Sequence, residues 1–242
     1  MKKFILFLLL IAVLTSGCKL MEFAPESKHT KKIYRKSIEN AMSPAPSKVY
    51  PNLISITKQN KKLEWKKING EDYILVVSWK EKRTPYVPYV NKKYETKEKI
   101  WVTTSPELLL KMKKIKSKNV NLRLKQLIGL PPNSTYKYFI EFWVRPKDLI
   151  RPCPDNNITT NKCGICFPKK TESKYKEWFN NYRINSYYQC NLYDNYPWTQ
   201  LGYTYDWNPQ NKTHVGLSEF VIKTKSEIIV KQTYTTSEYL SK

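Results

Sequence analysis

The segment LEWKKINGEDYILVVSWK, residues 63–80, turns back on itself at Asn69-Gly70. An Asn-Gly pair suits a two-residue type I′ turn, in which both central residues need positive φ. Apolar and β-branched residues flank it, and Tyr73 to Trp79 is the stronger of the two strands. A tight turn of this kind joins antiparallel neighbours, so the chain is expected to build an antiparallel sheet around this hairpin.

The rest of the pattern agrees. KIWVTT (99–104) and KYFIEFWV (137–144) are β-prone, and LSEFVIKT (217–224) and EIIVKQTY (227–234) read as two late strands. The prolines of TPYVPYV (84–90) exclude a central strand there. Ser105-Pro106-Glu107 opens a helix, since proline in the first turn loses no hydrogen bond, and ELLLKMKKI continues it. NLRLKQLIG (121–129) reads as a second helix that Gly129 stops, with Pro131-Pro132 beyond it. ESKYKEWFNNYRI (172–184) spaces Tyr175, Trp178, Phe179 and Tyr182 helically. Repeats and βαβ alternation are absent. The expected class is α+β, with a mainly antiparallel sheet, two or three short helices and a disulfide-stapled loop region.

The N-terminus follows a different plan. Met1-Lys2-Lys3 is a short positive region, FILFLLLIAVL (4–14) is apolar and uncharged, and Thr15-Ser16-Gly17-Cys18 follows. These three parts make a secretory signal, and the apolar run is short for a membrane span. TSGC resembles the lipobox of bacterial lipoproteins. That resemblance implies that residues 1–17 are removed and Cys18 becomes a lipidated, palmitate-bearing N-terminus. It places the protein in the cell envelope, held to the membrane through its anchor. Lys19, where retained lipoproteins carry Asp, points to the outer membrane in a Gram-negative cell. Residues 18–48, with Pro25, Pro44 and Pro46, read as a flexible tether with one short helix at most. Residues 49–242 are expected to form a single domain.

The chain carries 43 Lys and Arg against 20 Asp and Glu, a net charge of +23. Such a balance attracts anions, including envelope polymers and glycans. Export and the lack of any nucleic-acid-binding motif exclude nucleic acid as partner. Only six of the basic residues are arginine, the side chain suited to bidentate anion recognition. The lysines are spread along the chain, as on a solvated surface.

Besides Cys18 there are Cys153, Cys163, Cys166 and Cys190. An even count in an exported chain predicts two disulfides, and four cysteines allow three pairings among which the spacing does not choose. Zinc on four thiolates and a redox pair at CGIC (163–166) are the weaker readings: CGIC faces no second CxxC, and Pro168 breaks any helix after it. No metal and no cofactor are expected.

Two function classes remain. The leading one is a non-catalytic binding or structural module, with Trp198, Tyr203, Tyr205 and Trp207 as an exposed stacking platform. Residues two apart share a strand face, so Tyr203, Tyr205 and Trp207 would point together. The alternative is a hydrolase of envelope polymer or glycan, with His214, Glu219 and Asp206 as acid–base candidates and Ser218 as a hydroxyl. Glu141, Asp148, Asp206 and Glu219 also offer carboxylates for glycoside cleavage. No GxSxG or HExxH frame surrounds any of them. LIGLPP, FWVRPKDLIRPCPD (142–155), YPWTQLGYTYDW (196–207) and GLSEFVI (216–222) together resemble a family of uncharacterised bacterial proteins, a likeness that implies no activity.

Overall fold

The computed structural model describes residues 27–242, so Cys18 and the apolar leader lie outside the described residues. The chain order is α1 (Lys28–Ala41), β1 (Trp65–Ile68), β2 (Glu71–Lys80), β3 (Lys93–Glu95), β4 (Ile100–Thr104), α2 (Ser105–Lys114), α3 (Val120–Leu127), β5 (Tyr138–Val144), β6 (Leu149–Ile150), α4 (Ser173–Tyr187), β7 (Tyr203–Tyr205), β8 (Val215–Ser218), β9 (Phe220–Ile222), β10 (Glu227–Thr235) and α5 (Thr236–Leu240). The fold is α+β with a mainly antiparallel sheet, and the described residues carry five α-helices where two or three were expected.

The Asn-Gly turn forms as the residues require. Asn69 and Gly70 have φ of 48° and 83°, and Ile68 pairs with Glu71 across the two-residue loop. The main sheet runs β3-β10-β5-β2-β4-β9-β6, with every ladder antiparallel. β2 lies at its centre and is buried from Tyr73 to Trp79. Ile74, Val76, Ile140, Phe142, Val144 and Val230 pack on one face. Val77, Trp79 and Phe139 pack on the other, under Leu108 and Met112 of α2, Leu124 and Leu127 of α3, and Tyr239 of α5.

One edge of β2 is divided among partners. β1 takes Glu71–Ile74, and β4 takes only Val76 and Val77, opposite Thr104 and Thr103. From Val102 back to Ile100, β4 pairs with β9 instead. The two strands therefore separate beyond Val77–Thr103. The late run read as one strand from 217 to 224 is also split. Val215–Ser218 pairs with β7 in a small two-stranded sheet, and Phe220–Ile222 joins β4 and β6. Glu219 stands in the break, its N–H donating to the Gly202 carbonyl at 2.9 Å.

The tether reading is corrected for its second half. Lys28–Ala41 is a helix capped by Ser27, whose hydroxyl accepts from Thr30 N–H. Its Tyr34 is wholly buried and meets Trp207 edge to face at 5.6 Å. The domain thus includes α1 and does not wait until residue 49, because α1 has an apolar stripe and the aromatic segment offers a surface to bury it. No helix among the described residues is long and apolar enough to cross a membrane.

Candidate functional site

Asp206 and His214 do not form an acid–base pair. The Asp206 carboxylate is fully buried and accepts two bonds from Arg123, at 2.9 and 2.6 Å, with further donors from Asn208 N–H and Asn211 Nδ2. His214, in a left-handed conformation, faces the main-chain oxygen of Asp206 through Nδ1 at 3.0 Å and stacks on Tyr205 at 4.8 Å. The Ser218 hydroxyl donates to Glu107 and accepts from Ile54 N–H, so it has no histidine to activate it. These are the contacts of a folding scaffold, and they remove His214 and Asp206 from the catalytic candidates.

The other carboxylates are also engaged. Glu141 meets Lys242 at 2.7 Å and Lys231 at 3.3 Å, and Asp148 meets Arg145 at 2.7 Å. Of the four weighed for glycoside cleavage, Glu219 is the one with no basic partner among the described residues.

The stacking platform is not exposed. Trp207 is 1% exposed, and Trp198, Tyr203 and Tyr205 are no more than 5%. The shared face fails because β7 ends at Tyr205 and its pairing with β8 is irregular between Tyr203 and Tyr205. Tyr203 packs with Leu53, Leu201 and the 153–163 cystine, while Tyr205 and Trp207 join the aromatic cluster under α1 and α4. Trp207 Nε1 donates to the Leu130 carbonyl at 2.9 Å, tying this segment to the exit of α3.

What the rings do build is a cleft of about 290 Å³, at the place where β4 leaves β2. Val77–Lys80 line it from β2 and Trp101–Thr103 from β4. Gly129 and Leu130, after α3, form another wall. Gly129 has φ of 73°, and a Cβ there would meet the Tyr205 carbonyl oxygen at 3.3 Å. Tyr182 of α4, Tyr196, Trp198 and Tyr205 complete the lining with Tyr136 and Glu219. Three of these rings make a corner. Trp198 stands nearly perpendicular to Tyr182, at 4.9 Å and 90°, and to Trp101, at 6.1 Å and 84°, while Trp101 and Tyr182 lie 4.6 Å apart and tilted by 31°.

Glu219 sets the electrostatics. Burial pushes its carboxyl up to about 8, because little water remains to solvate the anion. The indole N–H of Trp198 draws the value back down. Yet neither Trp198 Nε1 nor Glu219 Oε2 completes a hydrogen bond of normal geometry, and both atoms are sealed from solvent. Lys80, the one Lys or Arg among the lining residues, has its amine lowered by burial and drawn back up by Glu98, and it does not act on Glu219. The sequence singled out Glu219, Trp198 and Tyr205 as site residues; it read Tyr182 and Tyr196 only as members of a ring-rich segment, and it did not bring in Trp101 or Tyr136. Those four stand at separate places along the chain, and only the fold gathers them.

The cysteines divide two and two. Cys153 and Cys163 form a disulfide, whereas Cys166 and Cys190 are exposed free thiols. The expected second bridge is therefore not made. Because Cys163 is bonded to Cys153, neither a 163–166 redox pair nor a four-thiolate zinc site forms. Among the described residues no group of three or more His, Cys, Asp or Glu could hold a metal ion. Comparison with known protein families, curated proteins and solved structures finds no match to this chain.

Proposed function

We propose that the chain is a lipid-anchored protein of the cell envelope that binds a small ligand in the cleft between β2 and β4, without catalysis. The observation that carries this reading is a ring-lined cleft into which Glu219 is built with no basic side chain acting on it. Its one side-chain donor is the neighbouring Trp198 indole, which does not complete a bond of normal geometry. A carboxyl held so among aromatic and aliphatic side chains has the composition of a ligand pocket: mostly apolar walls and a few convergent polar groups. The lipobox-like TSGC supports a location outside the cytoplasm.

One observation favours the hydrolytic alternative. A carboxyl that keeps its proton near neutrality is what a general acid needs. The remaining requirements are unmet, since Asp206, Glu141 and Asp148 are each held by a basic side chain. Binding is the better supported function.

The test is a melting-temperature and calorimetric survey of the full chain against amines, amino acids, sugars and short fatty acids. At least one class should raise the melting temperature, and Val77→Phe, which fills the cavity from β2, should abolish the rise while leaving a folded protein. A flat response to every class would overturn the reading, as would equal binding by folded Val77→Phe.

A further inference from the structure

Resting on that ligand-binding reading, we propose that the cleft takes an organic ammonium ion of about choline size, with the aromatic walls around the cation and Glu219 as its counter-ion. The cleft lacks a cation of its own. The Trp198 indole is the one side-chain donor near the Glu219 carboxyl, and no basic side chain acts on it from any wall. The titratable groups around the carboxyl are Tyr182 and Tyr187 of α4, and the other ionisable lining residues are Tyr136, Tyr196, Tyr205 and Lys80. Burial keeps Tyr182, Tyr187 and Tyr205 as neutral phenols, and a phenol has no cationic form to offer. The missing partner is a cation that the protein does not provide.

The walls suit that cation. Aromatic faces attract ammonium groups through their quadrupoles, most strongly where water is excluded. Trp101, Tyr182 and Trp198 pack on one another, with centroids 4.6 to 6.1 Å apart, and form one aromatic wall of the cleft. Tyr136, Tyr196 and Tyr205 bring further rings to the same volume. An anionic ligand would find Lys80 alone. The chain's net charge of +23 does not exclude a cation, because charges beyond a Debye length of about 8 Å are screened at physiological salt. It disfavours polyvalent cations more than a single ammonium.

An ammonium ion reaches an envelope protein as a free solute or on a lipid headgroup, and the shared chemistry is what the cleft recognises. The raised carboxyl adds a signature. A cation stabilises the carboxylate, so binding near neutral pH should release a proton from Glu219.

The experiment uses the full chain, with choline, glycerophosphocholine (a soluble lipid headgroup) and 3,3-dimethylbutan-1-ol, the uncharged carbon isostere of choline. Choline or glycerophosphocholine should bind at least about tenfold tighter than the isostere, and which of the two is tighter identifies the source. Calorimetry at pH 7 in buffers of different ionisation enthalpy should show release of about one proton per ligand. Glu219→Gln should reduce choline affinity to that of the isostere and abolish the proton release. Equal binding of choline and its isostere by the unaltered protein would overturn the assignment, whether or not the variant folds. Binding of sugars or fatty acids without amines would overturn it and leave the pocket reading standing. Binding of no compound would remove both.

Discussion

Arg123 of α3 grips Asp206 with both terminal guanidinium nitrogens, Nη1 and Nη2, at 2.9 and 2.6 Å, in a setting where the two side chains are 10% and 0% exposed. The pair fastens the helix that leads into Gly129–Leu130 to the segment that carries Tyr205, and so fixes two walls of the cleft. Removing one partner of a buried pair strands the other charge, at about 3–5 kcal/mol. Arg123→Leu should therefore lower unfolding free energy by that much in urea titrations. The double variant Arg123→Leu with Asp206→Leu should recover a substantial part, because no charge is then left buried alone. A single variant costing under about 1 kcal/mol would show that the pair is solvated.

Glu219 should make stability depend on pH with a definite sign. Its folded carboxyl titrates near 8 against an ordinary value of 4.5, so between those values the native state holds a proton that the unfolded chain has released. Stability falls as pH rises through that window, by at most about 1.4 kcal/mol per pH unit from this group. Glu107, also raised by burial, acts in the same direction, while Glu141, lowered on balance by Lys242 and Ser105, acts oppositely at acid pH. Comparing Glu219→Gln with the unaltered chain by thermal melts from pH 5 to 8.5 isolates the contribution. The variant should show the shallower decline, and parallel curves would refute the buried neutral carboxyl.

Trp207→Ala should be a stability variant rather than a surface one. The ring is 1% exposed, packs edge to face on Tyr34 and donates to Leu130. Truncating a buried tryptophan costs about 3–5 kcal/mol. Equilibrium unfolding reads this directly, and an unchanged midpoint would mean that the ring is not in the core.

The thiols give a chemical check. Alkylation of the folded, unreduced protein followed by peptide mapping should label Cys166 and Cys190 and leave Cys153 and Cys163 unlabelled. Reduction should then cost about 3 kcal/mol in the chain-entropy account, for a cross-link spanning a separation of 10 residues. Recovery of a 163–166 or 153–190 bridged peptide would contradict the pairing.

Mass spectrometry of the mature N-terminus tests the lipidation of Cys18. A diacylated or triacylated cysteine is the expected start. Any unmodified start at another residue would detach the domain from the membrane and relocate the proposed function.

Local patterns were readable where local chemistry decides the structure. Asn69-Gly70, Ser105-Pro106 and Gly129 each dictate a backbone conformation without help from distant residues, and the hairpin and both helices form there. The failures share a cause in partners remote along the chain. LSEFVIKT is uniformly strand-like, yet it breaks at Glu219, where Gly202 takes the N–H and the flanking strands join different sheets. The 203–207 alternation ends early because Asp206 turns to Arg123, 83 positions away. Buried rings and exposed rings look alike in one dimension. The ring corner of Trp101, Tyr182 and Trp198 thus had no linear signature, and the lone carboxylate stood out only after its three rivals were seen to be paired.

The docking of α1 has a consequence for how far the domain can roam. With Tyr34 sunk into the aromatic cluster and Lys28 already helical, ten residue steps separate Cys18, the proposed site of the lipid, from α1. A chain of that length spans at most about 35 Å. An anchored molecule would work within a shallow layer above the bilayer, scanning what lies at headgroup height and leaving the depth of the envelope to others.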